Sequence, residues 1–519
     1  MFSSPYKKKI LWLIAIASIV KLIVAGSIEL SNDEVYYWLY AKYPALSHFD
    51  HPPVVGWVIQ LFTLDLQLDG ALFIRLGAIV FSALNAWILY HLVKDCIDER
   101  SAFYSAALFL FSVYCSIIAG LSILPDSPQL FFWLLTIYLL SKSILISESQ
   151  PNKKDKQYFL IASVTTALAI LSKYHGAIIL VGAGLYILLY NRKWLKEPVL
   201  YLGIFIALLG ALPILIWNYN VDFISFTYHG NRVNMFDSGI RLDYFFTQLG
   251  GEALYQNPFV YFVIVLGVIF AYKKLNTYKV FRLLLCVALP LLAVFWFFAL
   301  FRSTLPHWTG PAYATLIPFG GYFLKEKFGP EKLFPWPLKA AMVLLVTALI
   351  AMVVLVNFNP AGMLPSDNNP IHKKGDNDPL LDMQGWKTIK KESEKIIAKD
   401  LNGKPIQGCT LLGYAWFPAA HTDYYVARPL GMNLLVKGSL ESIHKYYWIN
   451  QQRPSLNPGD NAYFINVSNY YKDPSELFAE DFETIAALDT IAVYRGASIG
   501  RYAIVFKLAG FKQNKNGTY

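Results

Sequence analysis

Charge is scarce in this chain: Asp, Glu, Lys and Arg make up 15% of its 519 residues, where soluble globular proteins carry about 25%. Against 55% hydrophobic residues, that shortage argues against a cytosolic enzyme. It also excludes disorder, which needs low hydrophobicity and high net charge. Cysteine is nearly missing as well. The four thiols (Cys96, Cys115, Cys286 and Cys409) lie scattered, so no disulfide framework is implied. An internal repeat of fixed period is lacking too.

What is present is a succession of apolar runs. Leu11–Val24, Ala102–Ala119, Tyr158–Leu171, Val199–Trp217, Phe259–Tyr272, Leu283–Leu300 and Ala340–Val356 are nearly free of charge and approach the length of a membrane-spanning helix. Hydropathy predicts about eleven spans, near residues 10–27, 71–93, 102–120, 129–146, 158–172, 176–190, 198–217, 258–272, 282–301, 309–324 and 338–357. The net charge of +10 is no nucleic-acid footprint, because Lys and Arg gather in short loops between spans: Lys7–Lys9, Lys153–Lys156, Arg192-Lys193, Lys273-Lys274 and Lys325–Lys327. The positive-inside rule makes these loops cytoplasmic. Loops 28–70, 121–128, 218–257 and 302–308 then face outward, as does everything after the last span. The first run resembles a signal peptide, but its apolar core exceeds the usual length of about 7–15 residues, which favours an uncleaved anchor.

Composition changes after Asn357. Three parts are predicted: a transmembrane domain over 1–357, a Pro/Gly/Asn/Asp-rich linker over 358–380, and a soluble α/β domain over 381–519. In the last part Trp386–Leu401 reads as an amphipathic helix. Thr410–Tyr414, Tyr424–Ala427, Ala462–Asn466, Thr490–Arg495 and Tyr502–Leu508 read as strands. His421, Asp423, Glu441 and His444 fit no zinc spacing and read as a solvated surface.

Ionisable groups at the edge of the bilayer carry the functional signal, since each costs about 2.5–3.5 kcal/mol near a helix centre. Asp33-Glu34, in Ser31-Asn32-Asp33-Glu34-Val35-Tyr36-Tyr37-Trp38, is either a base for a substrate hydroxyl or a helix start capped by Asn32 or Asp33. In His48-Phe49-Asp50-His51-Pro52-Pro53 the prolines fix an extended entry that presents His51, unless Asp50 and His51 merely pair in a loop. Leu124-Pro125-Asp126 sets a lone carboxylate between two spans, as a site or as a plain N-cap. Lys173, Arg232 and the Arg302–Trp308 segment with His307 and Trp308 place cations and aromatics on the outward side, against the positive-inside bias. Acidic, cationic and aromatic groups on one face suit a lipid-phosphate-linked sugar.

These strings resemble bacterial members of the protein O-mannosyltransferase and lipid A aminoarabinose transferase superfamily. Further blocks follow in family order: Lys173-Tyr174-x-Gly176, Trp217-Asn218, Tyr228-His229-x-x-Arg232 and Pro306-His307-Trp308-x-x-Pro311-Ala312-Tyr313. Asp382-Met383-x-Gly385-Trp386 and Gly510-Phe511 resemble that group's outer domain. The resemblance implies a mainly α membrane bundle of the GT-C type with a small C-terminal α/β domain on the outer, periplasmic or extracytoplasmic, face of a bacterial inner (plasma) membrane, the N-terminus cytoplasmic. It implies an inverting transfer of a sugar from a polyprenyl-phosphate donor to a lipid, glycan or protein acceptor. Asp33, Glu34 and Asp126 would be catalytic; His51, Lys173, Arg232, His307, Trp308 and Tyr37 would contact donor phosphate or substrate. His51 stands where the aminoarabinose transferases have a lysine. No cofactor is required, and a divalent metal is allowed but not demanded. A transporter or flippase of lipid-linked saccharides is the competing reading; it calls for charges deep within helices and for similar halves.

Overall fold

The structure, a computed structural model, describes residues 5–145, 151–232, 239–359 and 370–512. It divides into two compact units: Met1–Ile23 with Pro44–Ala348, and Val24–Tyr43 with Leu349–Tyr519. Residues 24–43, which the sequence places in the first domain, thus group with the C-terminal part.

Helices dominate the chain: α1 (Pro5–Ser27), α2 (Asn32–Lys42), α3 (Val54–Phe62), α4 (Ala71–Cys96), α5 (Glu99–Phe111), α6 (Asp126–Ser143), α7 (Lys153–Ser172), α8 (Ile178–Tyr190), α9 (Pro198–Leu209), α10 (Leu212–Asn220), α11 (Ile224–Arg232), α12 (Leu242–Tyr255), α13 (Pro258–Ala271), α14 (Lys279–Ala299), α15 (Gly310–Lys327) and α16 (Trp336–Phe358). Among the described residues, α1, α4, Pro198–Asn220, α14 and α16 are each long and apolar enough to cross a bilayer, and the pair α12–α13, bent by more than a right angle, is either a sixth, broken span or a re-entrant loop. The chain is therefore a multi-pass integral membrane protein. The other predicted spans are also helical, but shorter, interrupted or less apolar.

The interruptions have local causes. Asp98 caps α5 by accepting from the Arg100 and Ser101 amides at 3.0 and 2.8 Å. That helix stops at Phe111 and resumes as a π-helical turn over Tyr114–Ile118, a wider winding often found at functional sites. Between α12 and α13 the axis turns by 104°. There Asn257 adopts φ 71°, and its side-chain amide donates to the carbonyls of Phe111 (3.0 Å) and Ala341 (2.9 Å). Pro258, with no amide hydrogen, then opens α13.

Helix α13 packs closely on α15. A Cβ at Gly267 would stand 2.5 Å from the backbone of Phe319, which backbone atoms cannot evade. Gly267→Ala is expected to destabilise the helical unit by about 1–3 kcal/mol through overpacking, read as a lower melting temperature in detergent.

The second unit holds a mixed sheet in the order β2-β1-β3-β5-β4. β1 (Thr410–Gly413) runs parallel to β2 (Asn433–Val436) and β3 (Ala462–Val467). β5 (Ser498–Phe511) runs antiparallel to β3 and to β4 (Phe482–Arg495). Leu412, Leu435, Phe464, Phe478, Phe482 and Leu508 form its core. The amphipathic helix α17 (Trp386–Leu401) lies where the sequence predicts it. Tyr424–Ala427 corrects the sequence: it is a helical turn that continues α18 (Trp416–Thr422), not a strand. Tertiary contacts override β propensity there, since Tyr424 packs edge-on against Trp38 at 5.2 Å and the Tyr425 hydroxyl accepts from the Leu30 amide at 2.7 Å.

Candidate active site

The segment leading into α2 is fastened residue by residue within the second unit. The Glu29 carboxylate accepts from the amides of Trp386 (2.8 Å) and Lys387 (3.1 Å). It thereby serves the first turn of α17, whose cap residue Gly385 has no side chain to offer. The Leu30 carbonyl meets Nε2 of His421 at 3.1 Å. The Asn32 side-chain amide donates to Asp382 at 2.6 Å, and the Tyr470 hydroxyl donates to the same carboxylate at 2.8 Å. The Asp382–Trp386 string singled out in the sequence is thus part of what frames the start of α2.

Within that start the two adjacent carboxylates differ. Glu34 is buried and accepts from the amide and hydroxyl of Ser31 at 3.0 and 3.1 Å, which makes Ser31 the cap, rather than Asn32 or Asp33. Asp33 stands exposed in the first turn, where the helix dipole favours negative charge. Tyr37 is buried, its ring 5.3 Å from Tyr40.

The frame also carries shifted groups. Burial raises the Asp382 carboxyl above its usual range despite the Tyr470 and Arg501 interactions. Burial also lowers Arg501 to about 10; its guanidinium lies 4.4 Å from the Trp386 ring, which stacks on His421 at 4.5 Å. His421 is fully buried, and burial lowers it to about 4 against the pull of the Leu30 carbonyl.

That shift has a consequence for stability. Between pH 6.5 and 4 the unfolded chain takes up a proton on His421 that the folded chain refuses. The contribution is therefore fully present above pH 6.5 and is lost as pH falls toward 4, amounting to about 3 kcal/mol. Thermal melts from pH 7 to pH 4 are expected to show this loss in the wild type and to show less of it in His421→Gln. Equal slopes for the two proteins would refute the assignment.

In the helical unit Asp126 opens α6 directly after Pro125. Lys173 follows the last residue of α7 in extended conformation. Its ammonium donates to Asp126 at 2.8 Å, and both side chains are only 4% exposed. The Tyr114 hydroxyl adds a bond to the other carboxylate oxygen at 3.2 Å. Tyr114 comes from the π turn, and its ring lies so close over Gly310 that any side chain there would collide with it. His175 and His307 lie within the electrostatic reach of Asp126, and His51 within that of His175. Burial lowers His307 to about 4, so it is neutral at pH 7. Trp308 packs on Phe295 at 5.5 Å, as does His175 at 5.2 Å. The structure thus brings Asp126, Lys173, His307 and His51 together in one unit, and Asp33, Glu34 and Tyr37 in the other. The Arg232 side chain lies outside the described residues.

Two buried ionisable side chains escape the sequence reading. Glu252, on α12, is fully buried and receives the hydroxyls of Tyr313 and Thr309, each at 2.8 Å, Trp296 Nε1 at 3.1 Å and the Gln248 amide at 2.9 Å. Lys21, inside α1, donates to Ser82 at 2.6 Å; a single lysine in an otherwise apolar run was its signal. His421, Asp423 and His444 are buried rather than solvated, which corrects the sequence reading; Glu441 is exposed. Among the described residues no three His, Cys, Asp or Glu side chains are grouped to hold a metal ion.

The fold defines a class, a mainly helical multi-pass membrane protein with a mixed-sheet domain. Residues 50–217 match the family model described as dolichyl-phosphate-mannose-protein mannosyltransferase. Over its length the chain is similar to ArnT from Cupriavidus metallidurans bound to undecaprenyl phosphate, with a TM-score of 0.64 at 16% identity, covering 97% of this chain and 98% of that one. The apo form of the same protein gives 0.61 at 14% identity with the same coverage. Lipid A galacturonosyltransferase RgtD of Rhizobium johnstonii is 21% identical over 243 residues, 46% of this chain and 48% of that relative. The chain thus spans about half the length of that curated relative. The resemblance read from the sequence stands at the level of family likeness and fold.

Proposed function

We propose that this chain is an integral-membrane glycosyltransferase that moves a sugar from a polyprenyl-phosphate-linked donor to a lipid, glycan or protein acceptor, with inversion, at the outer face of a bacterial inner membrane. The observation that carries the reading is the exposed Asp33 in the fastened first turn of α2, in a chain whose fold is ArnT-like. On this reading the polypeptide crosses the bilayer about eleven times, with Lys7–Lys9 cytoplasmic and the sheet domain periplasmic.

Asp33 accepts the proton of the acceptor hydroxyl or amine as that atom bonds to the anomeric carbon. The anomeric carbon–oxygen bond to phosphate breaks, and its electron pair leaves on polyprenyl phosphate, which gains one negative charge. Lys173 is the proposed phosphate partner. One of its three N–H groups is spent on Asp126, so Asp126 fixes the ammonium while two donors remain to stabilise the leaving group. His51, His307, Trp308 and Arg232 are assigned to donor binding, and the buried Tyr37 to the packing beneath Asp33. A phosphate monoester is already a tolerable leaving group, so on this reading a divalent metal is allowed but not demanded.

The test uses purified protein in lipid nanodiscs, a panel of undecaprenyl-phosphate-linked sugars and a membrane extract as acceptor. Release of undecaprenyl phosphate with one donor, dependent on Asp33, is the expected result. Lys21 and Glu252 are charges within helices, a feature that favours transport. Passage of labelled donor across a vesicle membrane without any release would replace the transferase reading with that one.

A further inference from the structure

A carboxylate taken out of water must recover its lost hydration from hydrogen bonds or cations. At the buried Glu252 the described partners are all uncharged donors: the Tyr313 and Thr309 hydroxyls, Trp296 Nε1 and the Gln248 amide. Thr309 and Tyr313 follow His307 closely in the chain. Gln248 turns its other end to the residues before it, where its Oε1 accepts from the Thr304 hydroxyl at 2.8 Å. The carboxylate is thus tied, directly or through one amide, to both sides of His307-Trp308.

These ties belong to one face of α12. Gln248, Gly251, Glu252 and Tyr255 stand at i, i+3, i+4 and i+7, the spacing that lines up on one side of a helix. At Gly251 the facing segment comes so close that a Cβ would collide with the Pro306 ring, which has little freedom to yield. The Tyr255 ring lies 5.8 Å from the imidazole of His307. The C-terminal end of α12 is fixed in turn: Gln256 accepts from the Ser112 hydroxyl at 3.1 Å, next to the Asn257 amide that bridges to Phe111 and Ala341. His307 itself lies within the electrostatic reach of Asp126 and Lys173.

We infer that Glu252 is a positioning residue: together with Gln248 it holds the Thr304–Tyr313 segment on α12 and so sets where His307 meets the donor. The inference rests on the transferase reading, which assigns His307 to donor binding. Glu252→Gln keeps the shape of the side chain but leaves one acceptor oxygen for four donors, with an NH2 group facing the rest.

The test follows binding of undecaprenyl phosphate to the full chain by native mass spectrometry in detergent, and turnover of the sugar donor that supports Asp33-dependent release. Glu252→Gln is expected to weaken that binding, and to raise KM for the donor, by about tenfold. At saturating donor, kcat is expected to stay within about threefold of the wild type. His307→Gln is expected to weaken binding to a similar extent. Adding Glu252→Gln to it is expected to cost less than about threefold more, since the two act through one contact. Gly267→Ala, which destabilises the same unit elsewhere, is expected to bind as the wild type does. Thr309→Val leaves the carboxylate its other three donors; it serves if Glu252→Gln does not fold, and is expected to weaken binding about threefold. Independent, multiplying effects of Glu252→Gln and His307→Gln overturn the inference. So do unaltered binding by His307→Gln, undiminished binding by the Glu252 and Thr309 variants, or an equal loss in Gly267→Ala. Those outcomes leave the transferase reading standing where Asp33-dependent release persists, whereas wild-type protein that neither binds nor releases undecaprenyl phosphate overturns both.

Discussion

Replacing Asp33 by Asn is expected to lower the release of undecaprenyl phosphate by about 10²–10⁴-fold, with donor binding retained. The substitution keeps size and hydrogen bonding but removes the basic lone pair, and Asp33 is exposed in a first turn anchored from outside itself. Folding therefore has little reason to change. Glu34→Gln is the informative contrast. Glu34 is buried and spends a carboxylate oxygen on the amide and hydroxyl of Ser31, so its loss is expected to cost about 1 kcal/mol of helix capping and to leave turnover within a few-fold. Equal losses of turnover in the two variants, measured on protein with unchanged melting behaviour, would refute the assignment of the base to Asp33.

Asp126→Asn carries the second large effect. Asp126 and Lys173 are both 4% exposed, so removing the carboxylate leaves an ammonium buried without its counter-ion. Breaking a buried pair in this way is expected to cost about 3–5 kcal/mol, read as a fall in melting temperature. Adding Lys173→Met removes the stranded charge and is expected to recover most of that stability. Turnover is expected to stay low in the double variant, because the proposed phosphate contact is gone. Recovery of turnover together with stability would reduce the pair to a structural role.

The parts legible in the sequence were those encoded locally. Apolar runs located the helices, proline placed Asp126 at the head of α6, and amphipathic spacing marked α17. Ser31-x-x-Glu34 carries the pattern of a reciprocal cap, yet the sequence reading put the cap at Asn32 or Asp33 and so did not separate the roles of the two adjacent acids. The sequence lacked what depends on distant partners. Tyr424–Ala427 carries strand-like residues, yet winds helically because Leu30 and Trp38 claim its rings. Only the second half of β4 was predicted, since Glu483 and Asp489 interrupt the alternation of Phe482–Arg495. Asp382 and Trp386 stood out as a string, but their partners Asn32 and Glu29 lie some 350 positions away. Glu252 gave no signal because, apart from Gln248, its donors come from two distant stretches of chain, around Trp296 and over Thr309–Tyr313.

Those long separations also set an order of events during synthesis. The Leu30 amide awaits Tyr425, 395 positions later, and Asn32 awaits Asp382. At roughly 5–20 residues per second, the ribosome delivers these partners some tens of seconds after α1 has emerged. Helix α2 therefore spends most of translation without its frame, and a nascent chain halted before Asp382 carries Asp33 on an unanchored turn. Translation past Tyr425 becomes a built-in checkpoint, with a later segment licensing an earlier one.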